Sequence, residues 1–289
     1  MKIKETHIVP AVAEKIRLQE YAVSIFTSLP TKSSLKKALK KGLILLDGQA
    51  AKTSDWIKEG QKLELLEIEN PVKKVYTLKL EIIFEDDYLA VIHKPAGIPT
   101  SGNYFKTIEN ALPFNFKKTK VKDALPAPLP VHRLDNPTSG LLLIAKSKSV
   151  QVDLNRLFEE KNIQKSYHAL VFGLLPGSII LKDPVEEKEA ETKIEVLEHF
   201  QIKSENFSLV KAFPRTGRTH QIRIHLATND NPIVGDNIYG KTSEIIKKGG
   251  LFLAATGLEF QHPVTKENMR FELPLPKKFR EIKSLAKNT

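Results

Sequence analysis

The sequence predicts an α+β fold in two parts: a small helix–helix–hairpin module, then a larger domain built on a sheet. Three observations carry this. Leu141, Leu142, Leu143, Ile144 and Ala145 form a short apolar run bounded by turn residues, the pattern of a strand buried on both faces. A helical stripe of Val150, Leu154, Leu157 and Phe158 follows it, and strand-like segments recur on either side. Residues 69–76, ENPVKKVY, lack periodicity and carry Pro71 with two lysines, as a connecting segment would. The expected boundaries are an irregular extension at 1–13, a first domain at 14–70, a linker at 71–80 and a second domain at 81–289.

In the first domain, Arg17, Leu18, Tyr21, Ala22 and Ile25 fall on one helical face, and Pro30 ends that helix. Ser33 is a candidate cap for a second helix, where Leu35, Ala38 and Leu39 face inward. Lys36, Lys37, Lys40 and Lys41 face outward, and Gly42 is placed to stop the helix. Leu43–Leu46 and Gln49–Lys52 read as strands around an Asp47-Gly48 hairpin turn. After Glu59-Gly60, Lys62–Ile68 is a further strand.

The second domain opens with a strand at Leu78–Phe84, a turn at Asp86-Asp87 and a strand at Tyr88–His93. Lys94-Pro95-Ala96-Gly97 has turn composition. Thr107–Leu112 suits a short helix. Lys117, Lys118, Lys120 and Lys122 then cluster near Phe114 and Phe116, either as a clamp for single-stranded nucleic acid or as an anchored surface loop. Pro126, Pro128 and Pro130 lead an extended chain into the central run. Beyond the helix at Ser149–Lys161, strands are expected at Lys165–Gly173, Ile194–Ile202 and Phe207–Phe213.

Composition narrows the chemistry. The 289 residues contain no cysteine, which excludes disulfides, thiolate catalysis and cysteine-bound zinc. A net charge of +11 and a pI near 9.5 point first to nucleic acid, then to an anionic membrane surface, beside a plain solubilising coat. The opening MKIKETHIVP lacks the apolar stretch of a signal peptide, and no run reaches transmembrane length, so cytoplasm is expected. His220 and His225 point in different directions on a helix, with no carboxylate to complete a set, and no metal site is expected. Asp135 is the acidic residue best placed for chemistry, on a polar loop pinned to the rim of a rigid sheet.

The string Val131–Lys146, VHRLDNPTSGLLLIAK, carries every fixed letter of H-R-L-D-x-x-T-S-G-L-L-L-x-A-K. It thereby resembles the central motif of the RluA-type pseudouridine synthases. KSYHALVFG at Lys165–Gly173 resembles their K-x-Y-x-A-L-V-x-G, and Gly217–Arg223 reproduces their G-R-T-H-Q-I-R. Lys94–Gly97 resembles N-K-P-A-G, with His93 in place of the asparagine. Leu251–Pro276 resembles the last motif, with Ala254 where many members have histidine. Residues 14–64 resemble the alpha-L RNA-binding domain of some ribosomal proteins.

The resemblance implies a mixed, mainly antiparallel central sheet and the conversion of uridine in RNA into pseudouridine without a cofactor. It makes Asp135 the catalytic aspartate, which either attacks the sugar or removes its 2′ proton. Tyr167 would be the active-site tyrosine that stacks on the flipped base. Arg218 would pair with the carboxylate, a guanidinium being suited to orient an aspartate and favour its charged form. Arg133 would fill the vacated space or hold the displaced strand. Lys36, Lys37, Lys40 and Lys41 would contact the RNA backbone. Ribosomal RNA is the favoured partner, transfer RNA the other candidate, and a monomer is expected. Two other classes stand beside this one: a non-catalytic RNA-binding or ribosome-assembly protein, and an RNA hydrolase, which would need a metal cluster or a histidine pair.

Overall fold

Short strands and one amphipathic helix organise the N-terminal part of the chain. The structure, a computed structural model, describes residues 2–11, 14–23, 25–67, 75–242 and 249–286. The chain divides into two compact units, 1–73 and 74–289. The first contains β1 (Ile3–Ile8), β2 (Ile16–Arg17), α1 (Leu18–Tyr21), α2 (Lys32–Lys40), β3 (Ile44–Leu46), β4 (Gln49–Ala50), β5 (Trp56–Ile57) and β6 (Lys62–Leu66). Its main sheet has the order β1-β6-β3-β4, and β2 pairs with β5 beside it.

Leu35, Ala38 and Leu39 on α2 are buried against Leu18, Ala22, Phe26, Ile44 and Leu63, as the helical spacing requires. The cap is Thr31, not Ser33: its hydroxyl accepts from Ser34 N, and Ser34 Oγ accepts from Thr31 N. Gly42, with φ +66°, ends the helix. Gly42 N bonds Leu39 O and Leu43 N bonds Ala38 O, each at 3.0 Å, the two bonds of a Schellman closure.

Two expectations are corrected here. Within the extension expected at 1–13, Ile3–Ile8 is not irregular but forms β1 and pairs with β6. That strand has no buried apolar face to announce it. Its backbone pairing is supported instead by the Glu5 carboxylate, which accepts from the backbone and hydroxyl groups of Thr27 and Ser28. The first helix is also shorter than its apolar spacing suggests, a single turn at Leu18–Tyr21.

Of the expected linker at 71–80, residues 71–74 lie outside the described residues, as do Ile68 and the end of the first domain at 70. The remainder is no linker: Leu80 is buried, and Tyr76 and Leu78 pack beside it in the core of the second unit. From there run β7 (Glu81–Glu85), β8 (Leu89–Lys94), α3 (Ile108–Asn115), β9 (Ala124–Pro130), β10 (Ser139–Ser147) and α4 (Lys148–Glu159). Next come β11 (Gln164–Phe172), β12 (Ser178–Leu181), β13 (Thr192–Ile202) and β14 (Glu205–Pro214). The chain continues through α5 (Gln221–Thr228), β15 (Leu253–Gln261), β16 (Asn268–Glu272) and α6 (Lys277–Ala286).

The sheet of the second unit follows the order β12-β13-β14-β11-β15-β10-β8-β7, with β16 added to β15 and β9 to β10. It is mixed and mostly antiparallel; the parallel pairing joins β10 to β15 at Ser139–Ala254 and Gly140–Ala255. Strand β10 is buried on both faces. Leu142 and Ile144 pack with Ile108 and Leu112 of α3, while Leu141, Leu143 and Ala145 pack with Val150 and Leu154 of α4. Gly140 has a separate reason to be glycine. A Cβ there would lie 2.0 Å from the Ala255 carbonyl oxygen, and its φ is +128°.

Candidate active site

The loop between β9 and β10 is tied down almost residue by residue. Val131 N bonds Leu143 O, and the His132 ring accepts in turn from Leu143 N at 3.0 Å. Leu134 exchanges two hydrogen bonds with the Thr100 hydroxyl. Asn136 O accepts from Gly97 N, and Thr138 N bonds back to Asp135 O. Beneath the loop lies Lys94, at the end of β8 and wholly buried. Its ammonium donates to the carbonyls of Thr138 at 2.8 Å, Pro95 at 3.0 Å and Asn136 at 3.3 Å. Burial lowers its pKa to about 8, against the opposing pull of Asp135. This frame leaves the Asp135 carboxylate 17% exposed, facing α5.

The arginine that meets it is Arg223, not Arg218. Arg223 Nη1 donates to Asp135 Oδ2 at 3.2 Å. Its Nε and Nη2 form a bidentate pair with Asp236, each at 2.7 Å, and the guanidinium lies 5.3 Å from the Tyr239 ring centroid. Asp236 also accepts from the backbone of Ile238 and Tyr239. Burial opposes both charges, yet their mutual hydrogen bonds outweigh it. The Arg223 pKa is held above its ordinary value and that of Asp236 below. Arg218 sits earlier, on the exposed turn before α5, where Nε donates to Glu189 O at 3.0 Å. The motif contains both arginines, and spacing alone does not say which one the helix turns inward.

Helix α5 is oriented by Gln221, whose amide bonds Glu191 O and Thr192 Oγ1 while its oxygen accepts from Thr216 Oγ1 and Arg218 N. His220 precedes it with a left-handed backbone, φ +56°. Its Nδ1 lies 3.1 Å from the Tyr239 hydroxyl and its Nε2 3.8 Å from Asp135 Oδ2. His225 turns away and is buried, between Thr192 Oγ1 and Asp183 O. Among the described residues there is no group of three or more His, Cys, Asp or Glu placed to hold a metal.

Asp135, His220, Gln221 and Arg223 line a cleft of about 410 Å³, within the size range of small-ligand sites. Asp135, Tyr167, Arg133 and Arg218 all border it, together with Lys165, His132 and Phe158. Tyr167, on β11, has its phenol pushed well above the ordinary value, first by burial and then by the Asp135 charge. It is therefore a neutral ring with a proton on its oxygen. Lys165 donates to Thr216 O at 3.3 Å, and burial lowers its pKa to about 8. His132 is held neutral, its pKa lowered to about 3 by burial and then by the charge of Lys165. Arg133 is exposed at the rim. The sequence reading gave no role at the site to Arg223, Asp236, Lys94 or His220, although Arg223, His220 and Lys94 stand inside the quoted motifs.

In the first unit, Lys36, Lys37, Lys40 and Lys41 are exposed on α2 or at its end, and the first three border a shallow concavity with Lys32. Phe116 is a core residue, 7% exposed, whereas Phe114 is 53% exposed. The lysine cluster at 117–122 therefore has Phe114 alone of these two rings open to solvent. His93 points to Glu81 at 2.8 Å, and Ala254 lies opposite Ser139 in the parallel pairing.

Known proteins resemble this chain. The family described as RNA pseudouridylate synthase matches residues 88–228. A protein of Aquifex aeolicus described as an uncharacterized RNA pseudouridine synthase is 33% identical, with 98% of each chain covered. Ribosomal large subunit pseudouridine synthase C of Yersinia pestis is 32% identical over 94% of this chain and 92% of its own. Among solved structures, human RNA pseudouridylate synthase domain containing 4 superposes with a TM-score of 0.58 at 25% identity, covering 72% of this chain and 93% of that one.

Proposed function

The chain belongs to the RNA pseudouridylate synthase family, and from that premise we propose that it isomerises uridine in large-subunit ribosomal RNA, with Asp135 acting on the ribose. The reaction breaks the bond from C1′ to N1, turns the uracil and joins C1′ to C5. Nothing is oxidised and no group is donated. The observation that carries the reading is one carboxylate, Asp135, held 3.2 Å from a buried guanidinium at the mouth of a cleft that also contains Tyr167. A fixed carboxylate of this kind serves either as a nucleophile or as a base toward the sugar.

A uridine in a helix is out of reach, so it must be flipped out at a cost of a few kcal/mol. Stacking on the neutral ring of Tyr167 offsets about 1–3 kcal/mol of that cost. Arg133 at the rim would occupy the space the base leaves, and Arg218 would contact the backbone of the flipped nucleotide. The first unit is read as an alpha-L type RNA-binding domain whose α2 lysines supply sequence-independent affinity. Ribosomal rather than transfer RNA is favoured by the names of the relatives. The working unit is taken to be a cytoplasmic monomer; among the described residues no helix is long and apolar enough to cross a membrane.

The test is tritium release from RNA labelled at uridine C5, with ribosomal and transfer RNA assayed separately. Wild type is expected to release tritium from the ribosomal pool. Asp135→Asn should release none while binding RNA within a few fold of wild type. Equal loss of binding and release in that variant would make Asp135 a structural residue instead.

A further inference from the structure

Joining C1′ to C5 leaves that carbon with four substituents, one of them the original hydrogen. Pseudouridine forms only when H5 departs as a proton. The C5–H electron pair then becomes the C5=C6 double bond, and N1 takes up a proton. Some group in the cleft must accept H5. We propose that it is His220, acting through Nε2 as the base that removes the proton from C5. The inference rests on the isomerase reading above.

Several other groups lining the cleft are poorly suited. Arg133, Arg218 and Arg223 carry guanidinium groups, which do not serve as bases in proteins. Tyr167 keeps its own proton because burial and the Asp135 charge disfavour the phenolate. His132 is neutral, but its Nε2 is already occupied by the Leu143 N–H at 3.0 Å. Lys165 turns its ammonium toward the Thr216 carbonyl. Asp135 is committed to the sugar.

His220 combines access with orientation. Its side chain is 25% exposed on the cleft, and Nε2 stands 3.8 Å from Asp135 Oδ2. That is too long for a hydrogen bond, yet it sets both groups beside the same sugar–base junction. In the tautomer that carries its proton on Nδ1, that nitrogen donates to the Tyr239 oxygen at 3.1 Å and Nε2 presents its lone pair to the cleft. The Tyr239 ring is itself fixed under Arg223. The left-handed backbone at φ +56° is strained for a histidine and is tolerated where the surroundings enforce it.

The experiment compares single turnover on RNA carrying protium or deuterium at uridine C5. His220→Asn is the informative variant, because asparagine tolerates the left-handed backbone but offers no basic nitrogen. The rate should fall about a hundredfold or more, the usual contribution of a general base. The protium/deuterium rate ratio should also rise above the wild-type value, because C5–H cleavage becomes limiting. A merely structural histidine would slow every step and leave that ratio unchanged, which would overturn the proposal. Turnover within twofold of wild type would do so too. Lys165→Met serves as the rival: if it alone raises the isotope ratio, the base is Lys165. A wild-type protein that fails to turn over either RNA would refute the isomerase reading itself.

Discussion

Replacing Arg223 by lysine separates the two arginines of the motif. Arg223 makes three charged hydrogen bonds, two to Asp236 at 2.7 Å and one to Asp135 at 3.2 Å. A lysine keeps the charge but has a single ammonium, which cannot hold both carboxylates in this geometry. Each charge-assisted bond contributes about 1.5–3 kcal/mol, so losing two predicts a loss of roughly 3 kcal/mol or more. That is a large part of the roughly 5–15 kcal/mol typical of a whole domain, but the variant should still fold. A released Asp135 is no longer aimed at the ribose, and misplacement by about 1 Å costs on the order of a hundredfold in rate. Arg218→Ala removes an exposed side chain with one bond to a carbonyl, and stability should stay within about 0.5 kcal/mol. Urea denaturation and single-turnover tritium release, with RNA affinity measured alongside, read all of this. The reasoning fails if Arg218→Ala loses turnover at unchanged RNA affinity while Arg223→Lys remains near wild type.

Gly140→Ala would press a methyl group into the Ala255 carbonyl at 2.0 Å with φ at +128°, and should cost at least about 3 kcal/mol in a urea melt. A loss under about 1 kcal/mol would mean that β10 and β15 part easily. His132 is neutral in the fold, with a pKa of about 3 where an unfolded chain has about 6.5. As pH falls through that interval the unfolded state binds the proton first. The stability His132 contributes is thus complete above about pH 6.5 and fades toward about pH 3. In His132→Gln the pH dependence of stability across that window should be flatter than in wild type; identical curves would exclude the effect. Changing Lys36, Lys37, Lys40 and Lys41 together to alanine should shrink the slope of log K against log salt by about 0.7–0.9 for each phosphate that is no longer neutralised. An unchanged slope would place α2 off the RNA.

Strand β10 was legible because both its faces are buried, so five apolar residues stand in a row between turn residues. Helix α4 was legible because it covers one of those faces with a stripe at helical spacing. Edge strand β1 was not, since IKETHI buries no alternating set and is held by backbone pairing and the Glu5 carboxylate. At the site, Asp135 and Tyr167 followed from their motifs and line one cleft. The partner of Asp135 did not follow, because Arg218 and Arg223 stand in one heptapeptide and only the start of α5 at Gln221 decides which is buried. Lys94 reads as part of a turn by composition. Its role beneath the loop depends on the carbonyls of Asn136 and Thr138, far along the chain, which no local pattern encodes.

The placement of β15 has a consequence for biosynthesis. Asp135 hangs from β10 and Tyr167 from β11, yet these strands do not pair; β15, drawn from the C-terminal part of the chain, lies between them. Until β15 is made, no strand of the sheet joins the two halves of the cleft. Pairings between such distant segments form slowly. A nascent or truncated chain would therefore emerge with its α2 lysines already made but its chemistry unassembled. Activity is expected only once β15, Leu253–Gln261, has been made and has inserted between β10 and β11.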